Sequence, residues 1–282
     1  MKALDGAELA GYIKERQRQD VARIRGTQGR VPHLVILRDS SDPVIEKYVG
    51  LKKRYGEDIG IVVDDILVNS IEDIKSQIAE ANTDPDVDGI IVQLPLAGLA
   101  TLEDYDERQA ATDKVVRLIT PEKDVDDLTG AGSYDGATAT AINWLLAGYD
   151  IDLAKRKIAI VGYGRLVGKP LKRLWDYSHQ VIRVFDIGDD LNELRDYDLI
   201  VTATGVPHLI KSEMVAPGAV IVDAGAASEK GVIVGDVDEA VRERDDLAAI
   251  TPKIGGVGPL TICALFENLL KAARKNPYAS PD

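Results

Sequence analysis

Tyr48 and Lys52 lie four residues apart in the stretch "DPVIEKYVGLKKRYG", which is predicted to form an amphipathic helix. At this spacing the phenol and the amine share one helix face, about one turn apart. An amine in such a place can transfer protons if its pKa is lowered towards neutrality, whereas a helical lysine is ordinarily a solvated surface residue. The helix alone does not decide between these alternatives, so the other motifs of the chain must do so.

A second candidate site is the stretch "IVGYGRLVGKP", where Gly162, Gly164 and Gly168 follow an apolar run and precede a predicted helix. Glycines in such a turn let the backbone approach a pyrophosphate, and free N–H groups at the helix start bind its charge. The spacing G-x-G-x-x-x-G is one residue longer than the usual fingerprint, and similar turns without a nucleotide are common. The pattern therefore leaves both a dinucleotide site and a plain turn open.

Asp186 favours the dinucleotide site. It ends the next predicted strand, 22 residues beyond Gly164, where a ribose-binding carboxylate is expected. A carboxylate there accepts hydrogen bonds from ribose hydroxyls and repels a 2′-phosphate, which indicates NAD rather than NADP. A helix cap is the structural alternative, and Arg165, Lys169 and Arg183 are close enough in sequence to contact a phosphate instead.

The composition excludes several classes of protein. The 282 residues carry a formal net charge of -13, which argues against sequence-independent binding to nucleic acid or to an anionic membrane. The one cysteine, Cys263, rules out an intramolecular disulfide, and its apolar surroundings predict a buried side chain. The three histidines, His33, His179 and His208, lack metal-ligand spacing. Without a signal peptide or a membrane-spanning run, we expect a soluble cytoplasmic protein with no metal.

Strand-like and helix-like segments alternate in both halves of the chain, which is long enough for two domains. Strands are predicted at 33–39, 61–68, 88–96, 157–164, 181–186, 198–205 and 218–225. Helices are predicted at 42–56, after the capping pair Ser70 and Asp73, at "TATAINWLLAG" and at 260–275. This alternation is typical of parallel sheets covered by helices. Between about 98 and 137 the chain looks irregular, which indicates a functional or a disordered segment.

Taken together, these motifs resemble the bifunctional methylenetetrahydrofolate dehydrogenase/cyclohydrolase family nearly from end to end. The resemblance is carried by "YVGLKK", "GIIVQLPL", "PEKDVD", "VGYGRLVGKP", "GDVD" and "TPKIGGVGPLT", which occur in the family's order. It implies two α/β domains with the active site in the cleft between them. The folate-binding domain is expected at 1–140 plus 260–282, with the last helix crossing back to it, and a Rossmann-like NAD(P)-binding domain at 141–259.

The implied activity has two steps. The family oxidises 5,10-methylenetetrahydrofolate to the 5,10-methenyl form with NAD(P)+ and then hydrolyses that form to 10-formyltetrahydrofolate. The expected partners are therefore tetrahydrofolate one-carbon derivatives, with no nucleic acid and no membrane. The resemblance also implies a homodimer.

The resemblance assigns roles to individual residues. Lys52 matches the catalytic lysine, Gln93 matches the glutamine that orients it, and Tyr48 is expected to stack on or hydrogen-bond the folate. Asp126 matches the carboxylate that accepts paired N–H donors from the pterin, although Asp124 and Asp126 could also cap a loop turn.

The remaining assignments concern the glycine-rich segments. The stretch "GGVGP" lets the backbone approach the pterin and the nicotinamide, and Gly256 and Pro259 are assigned to the substrate site. The expected cofactor site consists of Gly162, Tyr163, Gly164, Arg165, Gly168, Asp186, Thr204 and Gly205.

One departure from the family pattern concerns the cofactor. The family's dinucleotide turn usually reads Gly-Arg-Ser, and its arginine commonly helps to hold the 2′-phosphate of NADP. Tyr163 and Gly164 stand at these positions here. Together with Asp186, this difference favours NAD over the NADP that is usual in the family.

Two further departures lie in the substrate loops. The segment "GATA" (136–139) replaces Pro-Cys-Thr-Pro, which leaves the fit around the substrate open. Asp127 replaces the glycine after "KDVD", and Lys253 and Ile254 replace Val-Pro before "GGVGP". We consider two roles for Lys253: it could contact the glutamate tail of folate, or it could lower the pKa of Lys52.

Three alternatives remain open at this stage. A monofunctional NAD-dependent methylenetetrahydrofolate dehydrogenase is one, although Lys52 and Gln93 argue against it. Another is an oxidoreductase of the shikimate dehydrogenase type, in which "VQLPL" and "PEKDVD" have no role. The third is a catalytically inactive nucleotide-binding or interaction protein, which the altered loops suggest.

Overall fold

The computed structural model of this chain describes residues 1–176, 181–229 and 232–276. The chain forms two compact units, each with a parallel sheet and helices, so the predicted two-domain α/β fold is confirmed. The first unit comprises Ile13–Asp135 and Leu265–Asp282, and the second unit comprises Met1–Tyr12 and Gly136–Ala264.

The bounds of the regular elements are as follows. The helices are α1 (Gly6–Gln28), α2 (Pro43–Ile59), α3 (Ile71–Thr83), α4 (Tyr105–Val116), α5 (Ala137–Gly148), α6 (Gly168–Asp176), α7 (Glu239–Arg242) and α8 (Val257–Lys275). The strands are β1 (Lys2–Ala3), β2 (His33–Arg38), β3 (Val62–Leu67), β4 (Gly89–Val92), β5 (Ile158–Val161), β6 (Ile182–Phe185), β7 (Leu199–Thr202), β8 (Val220–Asp223), β9 (Ala227–Glu229), β10 (Val232–Val234) and β11 (Ala249–Ile250). The boundaries between the units fall inside α1 and α8.

The first unit is built on a sheet with the strand order β3-β2-β4. Both pairs of strands are parallel, and the register places Leu37 of β2 beside Val92 of β4. Because the strands run the same way, the loops that follow them leave from one edge of the sheet. The chain after β4, which begins at Gln93, lies at that edge.

Helix α3 covers this sheet in the way that its sequence predicts. The Ser70 hydroxyl caps its first turn by accepting a hydrogen bond from the Asp73 N–H at 3.1 Å. Its apolar stripe joins the buried core of the sheet through Ile74, Ile78 and Ala81.

Helix α4 corrects the expectation of an irregular segment between 98 and 137. The Asp104 carboxylate caps this helix by accepting a hydrogen bond from the Glu107 N–H at 2.8 Å. Its buried residues, Thr112, Val115 and Val116, all lie near its end. The run of apolar positions is therefore too short to predict a helix from its periodicity. The Asp-x-x-Glu capping pattern is the sequence signal that could have indicated it.

The second unit is built on a sheet with the strand order β1-β11-β8-β7-β5-β6, and all neighbouring pairs are parallel. β5 and β7 are buried along their whole length, which is typical of central strands covered on both faces. β9 and β10 form a separate antiparallel pair. The loops after β5, β6, β7 and β8 leave from one edge, where open parallel sheets bind their ligands.

The contacts divide the chain differently from the predicted domains at its beginning. The sequence assigns residues 1–12 to the folate-binding domain, whereas the contacts group them with the second unit. The reason is that Lys2 and Ala3 pair with Ala249 and Ile250 of β11. A strand of two residues gives no periodic pattern from which its partner can be predicted. Residues 277–282 of the predicted domain lie outside the described residues.

Candidate functional site

Helix α2 carries Tyr48 and Lys52 and is fixed at both ends. The Asp42 carboxylate caps its start by accepting a hydrogen bond from the Val44 N–H at 2.8 Å. The helix ends at Gly60, whose φ of 85° is in the left-handed region that favours glycine. The two candidate side chains are therefore displayed from a rigid element.

The buried face of α2 packs closely within the first unit. A Cβ atom on Gly56 would lie 2.4 Å from a methyl group of Val63, so only glycine permits this approach of helix to strand. The neighbouring Tyr55 ring packs on Phe266, with 5.0 Å between ring centroids, and its hydroxyl donates to Gln17 at 2.7 Å. These contacts fix the orientation of α2 and hence of Lys52.

The structure brings Lys52 and Gln93 together. The Lys52 Nζ donates a hydrogen bond to Gln93 Oε1 at 2.8 Å. The Gln93 Nε2 donates to the Leu94 carbonyl at 3.0 Å, which turns the amide oxygen towards the amine. The Gln93 N–H also donates to the Leu37 carbonyl at 2.8 Å, which anchors the backbone directly after β4. Gln93 thus holds the amine without adding a charge.

Burial lowers the pKa of the Lys52 amine, because the ammonium form loses its hydration, while the carboxylate of Asp126 raises it by a smaller amount. A nearby cation is one predicted cause of a lowered pKa, whereas the charge that acts on Lys52 here is that of a carboxylate. The net result is an amine that gives up its proton more readily than a solvated lysine. Proton transfer needs such a group.

Tyr48 is half-buried, and its burial raises the pKa of the phenol. The phenol is therefore protonated at neutral pH and can donate its O–H to a ligand. It is not suited to act as a base under these conditions.

The two candidate carboxylates of "KDVD" differ in their surroundings. Asp124 is fully buried and accepts hydrogen bonds from the Leu128 N–H at 2.8 Å, the Thr129 N–H at 2.9 Å and the Thr129 hydroxyl at 2.7 Å. It therefore holds the loop, as the structural alternative predicts. Asp126 is only partly buried, and its charge acts on Lys52. Its assignment to the pterin stays a prediction.

The departures from the family pattern have local explanations. Asp127 has a φ of 55°, a left-handed conformation in which aspartate replaces glycine at modest cost. The segment "GATA" is the start of α5: Gly136 is its cap residue, without a side-chain hydrogen bond, and residues 137–139 form its first turn. Lys253 forms an ion pair with Glu239 at 2.5 Å, so it would have to exchange one carboxylate for another to bind a folate tail.

The glycine turn between β5 and α6 is closed by contacts that only glycine allows. Gly162 has a φ of 93°, and a Cβ atom there would lie 2.7 Å from the Ala203 carbonyl oxygen. A Cβ atom on Gly168 would lie 2.0 Å from the Gly162 carbonyl oxygen. Gly164 differs, because a Cβ atom there would have no neighbour within 4 Å. Two glycines therefore close the turn, and the third faces open space.

The loop after β6 is rich in carboxylates. Asp186 and Asp189 form a tight turn in which the Asp186 N–H donates to Asp189 Oδ2 at 2.8 Å. The guanidinium group of Arg183 lies 3.5 Å from Asp189 and 3.3 Å from Glu193. Arg183, one of the cations that could contact a phosphate, is thus engaged by acidic neighbours.

Thr204 and Gly205 follow β7 at the same edge of the sheet. Gly205 has a φ of 70°, and the Thr204 N–H donates to Asp236 Oδ2 at 2.7 Å. The Thr202 hydroxyl donates to the same oxygen at 2.6 Å. Asp236, which is fully buried, therefore positions the end of β7.

Asp223 and Arg242 complete this buried network, and the sequence did not single them out. Asp223 accepts hydrogen bonds from the Asp236 and Val237 N–H groups at 3.1 Å each and from the guanidinium group of Arg242. Burial raises the pKa of the Asp223 carboxyl group despite these donors. The motif "GDVD" contains Asp236 and was the available signal, although it did not indicate a role.

The predicted residues are divided between the two units. Tyr48, Lys52, Gln93 and Asp126 belong to the first unit, and Gly256, Pro259 and the expected cofactor site belong to the second. Among the described residues, no group of acidic, cysteine and histidine side chains is arranged to hold a metal ion. Nor does any helix within those ranges have the length and apolarity to cross a bilayer. His179 lies outside them.

Two family models match the chain. The model described as tetrahydrofolate dehydrogenase/cyclohydrolase, catalytic domain, matches residues 4–126. The model described as the NAD(P)-binding domain of the same family matches residues 136–277. The second match begins at Gly136, where the main segment of the second unit also begins.

Known proteins are similar over almost the whole length. The chain is 36% identical over 290 residues to the bifunctional protein FolD of Aquifex aeolicus (strain VF5), covering 96% of this chain and 95% of that protein. The bifunctional methylenetetrahydrofolate dehydrogenase/cyclohydrolase of Campylobacter jejuni has a similar structure, with a TM-score of 0.84, 31% identity and coverage of 97% and 99%. A Trypanosoma brucei dehydrogenase-cyclohydrolase solved with NADP and an inhibitor has a TM-score of 0.83, 25% identity and 97% coverage of each chain.

Proposed function

The chain belongs to the tetrahydrofolate dehydrogenase/cyclohydrolase family, and we propose that Lys52, Gln93 and Tyr48 form the centre of its active site. It is a bifunctional one-carbon enzyme. It oxidises 5,10-methylenetetrahydrofolate to 5,10-methenyltetrahydrofolate with NAD(P)+ and hydrolyses the product to 10-formyltetrahydrofolate. Membership of this family removes the shikimate dehydrogenase alternative. The observation that carries the proposed site is the contact of 2.8 Å between Lys52 Nζ and Gln93 Oε1.

Lys52 serves the hydrolytic step. Water adds to the methenyl carbon, the bond from that carbon to N5 breaks, and the formyl group stays on N10. The water oxygen loses both of its protons as it becomes the formyl oxygen: N5 gains one, and the other is released to solvent, because the methenyl form is a cation. The neutral amine of Lys52 accepts the first proton, and its ammonium form can return one to the nitrogen. Gln93 keeps the amine in place, and the protonated phenol of Tyr48 contacts the folate.

The remaining residues bind and orient. Asp126 accepts N–H donors of the pterin, as the resemblance implies, while Asp124 keeps its loop in shape through the hydrogen bonds to Leu128 and Thr129. Gly256 and Pro259 give the pterin a close backbone surface. The expectations of a homodimer and of a cytoplasmic location belong to this proposal as well.

The second unit binds the dinucleotide, which accepts a hydride from the methylene carbon when it is bound. The open side of Gly164 admits the pyrophosphate next to the start of α6. Asp186 accepts hydrogen bonds from the ribose hydroxyls. Thr204 and Gly205 line the edge of the sheet after β7, where Asp236 accepts the hydrogen bond of the Thr204 N–H.

We propose NAD as the preferred cofactor. Asp186, Asp189 and Glu193 make the loop after β6 acidic, and two of these carboxylates lie close to Arg183. These carboxylates would repel a 2′-phosphate. Arg183 would not compensate for them, because its guanidinium group already lies close to Asp189 and Glu193. Tyr163 stands where the family usually has an arginine for that phosphate.

The cofactor assay also tests the function. With methylenetetrahydrofolate as substrate, we expect reduced nicotinamide to form with a higher kcat/KM for NAD than for NADP. Asp186→Ser removes the carboxylate that repels the 2′-phosphate. It should shift the ratio of the two kcat/KM values towards NADP by about tenfold, which corresponds to about 1.4 kcal/mol. Asp245→Ser, the same change at an exposed position of the second unit, should leave the ratio unchanged.

Three results would contradict these assignments. A native preference for NADP, or a ratio that Asp186→Ser does not change, would remove the proposed role of Asp186. Nucleotide binding without any turnover of methylene- or methenyltetrahydrofolate would instead favour the catalytically inactive alternative.

The pKa of Lys52 predicts how hydrolysis depends on pH. Because burial lowers that pKa, the fraction of neutral amine rises as the pH passes through the lowered value. We therefore expect kcat/KM for hydrolysis, corrected for the reaction without enzyme, to rise with pH and then level off. A profile that is flat in the native enzyme would contradict a role of Lys52 as a base.

The same shift acts on stability with a defined sign. Between the lowered pKa and the ordinary lysine pKa, the unfolded chain binds more protons at this site than the native protein does. The contribution of Lys52 to the free energy of unfolding therefore increases with pH across that window. Below the window, the cost of burying the ammonium group is fully present.

A further inference from the structure

The amino-terminal segment Leu4–Ala7 is hydrogen-bonded to the glycine turn that precedes α8. The N–H groups of Gly6 and Ala7, which open α1, both donate to the Gly255 carbonyl, at 2.8 and 3.0 Å. Such N–H groups at a helix start have no partner inside the helix. Here they bind the backbone of the turn, so the position of α1 and the position of the turn are linked.

The contact is close enough to require glycine. A Cβ atom on Gly6 would lie 1.9 Å from the Gly256 carbonyl oxygen, a backbone atom that cannot rotate away as a flexible side chain does. On its other side, a Cβ atom on Gly256 would lie 3.0 Å from Cβ of Thr251, which is fully buried. The turn is thus packed between Gly6 and Thr251. Any side chain at position 6 must displace it.

The segment is itself fixed from two directions. The Leu4 N–H donates to the Ile250 carbonyl at 2.9 Å, which extends the pairing of β1 with β11. The Tyr149 hydroxyl accepts a hydrogen bond from the Asp5 N–H at 2.9 Å and donates to the Asp5 carbonyl at 3.1 Å. One phenol therefore holds both polar groups of the residue that precedes Gly6.

We infer that Gly6, held by Tyr149, is a positioning residue for the folate substrate. This inference rests on the proposed function, in which Gly256 and Pro259 give the pterin its backbone surface. A displacement of this surface by about 1 Å can lower the rate of a reaction by about 100-fold, because alignment is lost. Residues at the very start of the chain thereby set the fit of a ligand that they do not contact.

The test compares two alanine substitutions in the same helix. Gly6→Ala should lower kcat/KM for methylenetetrahydrofolate and for methenyltetrahydrofolate by about 10–100-fold. It should also weaken the binding of a folate analogue. Gly11→Ala should leave these values unchanged, since a Cβ atom there would have no neighbour within 4 Å. The Kd for NAD, measured by fluorescence, should stay within about twofold in both variants, because the turn around Gly162 is not displaced.

Tyr149→Phe provides a milder change that keeps the ring. It should raise the KM for methylenetetrahydrofolate by about threefold to tenfold with kcat and the melting temperature little changed, since it removes the two hydrogen bonds to Asp5, each with a modest net contribution, and keeps the packing of the ring. A folded Gly6→Ala variant with native kcat/KM would overturn the inference. So would an equal loss of NAD and folate affinity, which would indicate general damage to the second unit.

If Gly6→Ala does not fold, the Tyr149→Phe variant decides, and an unchanged KM would then overturn the inference. Failure of the proposed function looks different. In that case the native enzyme and Gly11→Ala would also fail to turn over either folate substrate.

Discussion

Replacing Lys52 by methionine is expected to lower the hydrolysis of methenyltetrahydrofolate by about 10²–10⁴-fold, the usual contribution of a positioned acid or base. Hydride transfer should be largely retained, because loss of a hydride from the methylene carbon moves no proton to a base. Methionine keeps much of the length of the side chain and removes only the amine. The two activities are followed separately, by reduced nicotinamide and by the disappearance of the methenyl absorbance.

The neighbouring residue provides a matched control. Lys53 is on the same helix, and its Nζ lies 3.6 Å from a carboxylate oxygen of Asp65 rather than against Gln93. Lys53→Met should change both activities by less than about twofold, because its amine faces Asp65 and not Gln93, and Asp65 keeps its ion pair with Arg38. An equal loss of both activities in Lys52→Met would mean that Lys52 binds substrate or supports the fold.

Asp88→Ala should lower the free energy of unfolding by about 3–5 kcal/mol, the usual result of breaking a buried ion pair. The Asp88 side chain is fully buried, and its two oxygens accept hydrogen bonds from the two terminal nitrogens of Arg30, at 2.8 and 2.7 Å. It also accepts hydrogen bonds from the His33 N–H and from Asn276, both at 3.0 Å. Truncation leaves all these donors without their acceptor and leaves the guanidinium group without its partner.

Denaturation followed by far-UV circular dichroism, together with hydrogen exchange of the β2 amides, measures this loss. Glu72→Ala, which removes an exposed ion pair with Lys75, should cost less than about 1 kcal/mol. Arg30→Met should cost nearly as much as Asp88→Ala, and the double variant should cost less than the sum. A loss below about 1 kcal/mol for Asp88→Ala would show that the pair adds little to stability.

The parallel α/β pattern could be predicted from the sequence, because buried strands give apolar runs that need no partner to be recognised. The same runs obscure the ends of the strands. The run 88–96 extends beyond β4, since Leu96 is buried after the ladder has ended. Gln93 lies in the part of this run that follows β4. The glycines of the dinucleotide turn likewise follow the end of β5. The residues that the site needs begin where regular pairing stops.

The contacts between distant residues could not be predicted from local patterns. Lys52 and Gln93 are 41 residues apart, and only the family resemblance placed one beside the other. The turn at Gly255 and the helix start at Gly6 are further apart still in sequence. Neither local pattern indicates that the two are in contact. Asp236 lies in the acidic stretch "GDVDE", so no periodic signal identifies it as a buried residue.

The burial of Cys263 makes the chain well suited to thiol-specific labelling. Its side chain is fully buried, and its thiol donates to the Ala10 carbonyl at 3.7 Å, so a maleimide dye will not reach it in the folded enzyme. A cysteine introduced at Ile187, whose side chain is 99% exposed next to Asp186, would then be the one reactive thiol. An environment-sensitive fluorophore attached there would report nucleotide arrival in real time, without catalytic turnover.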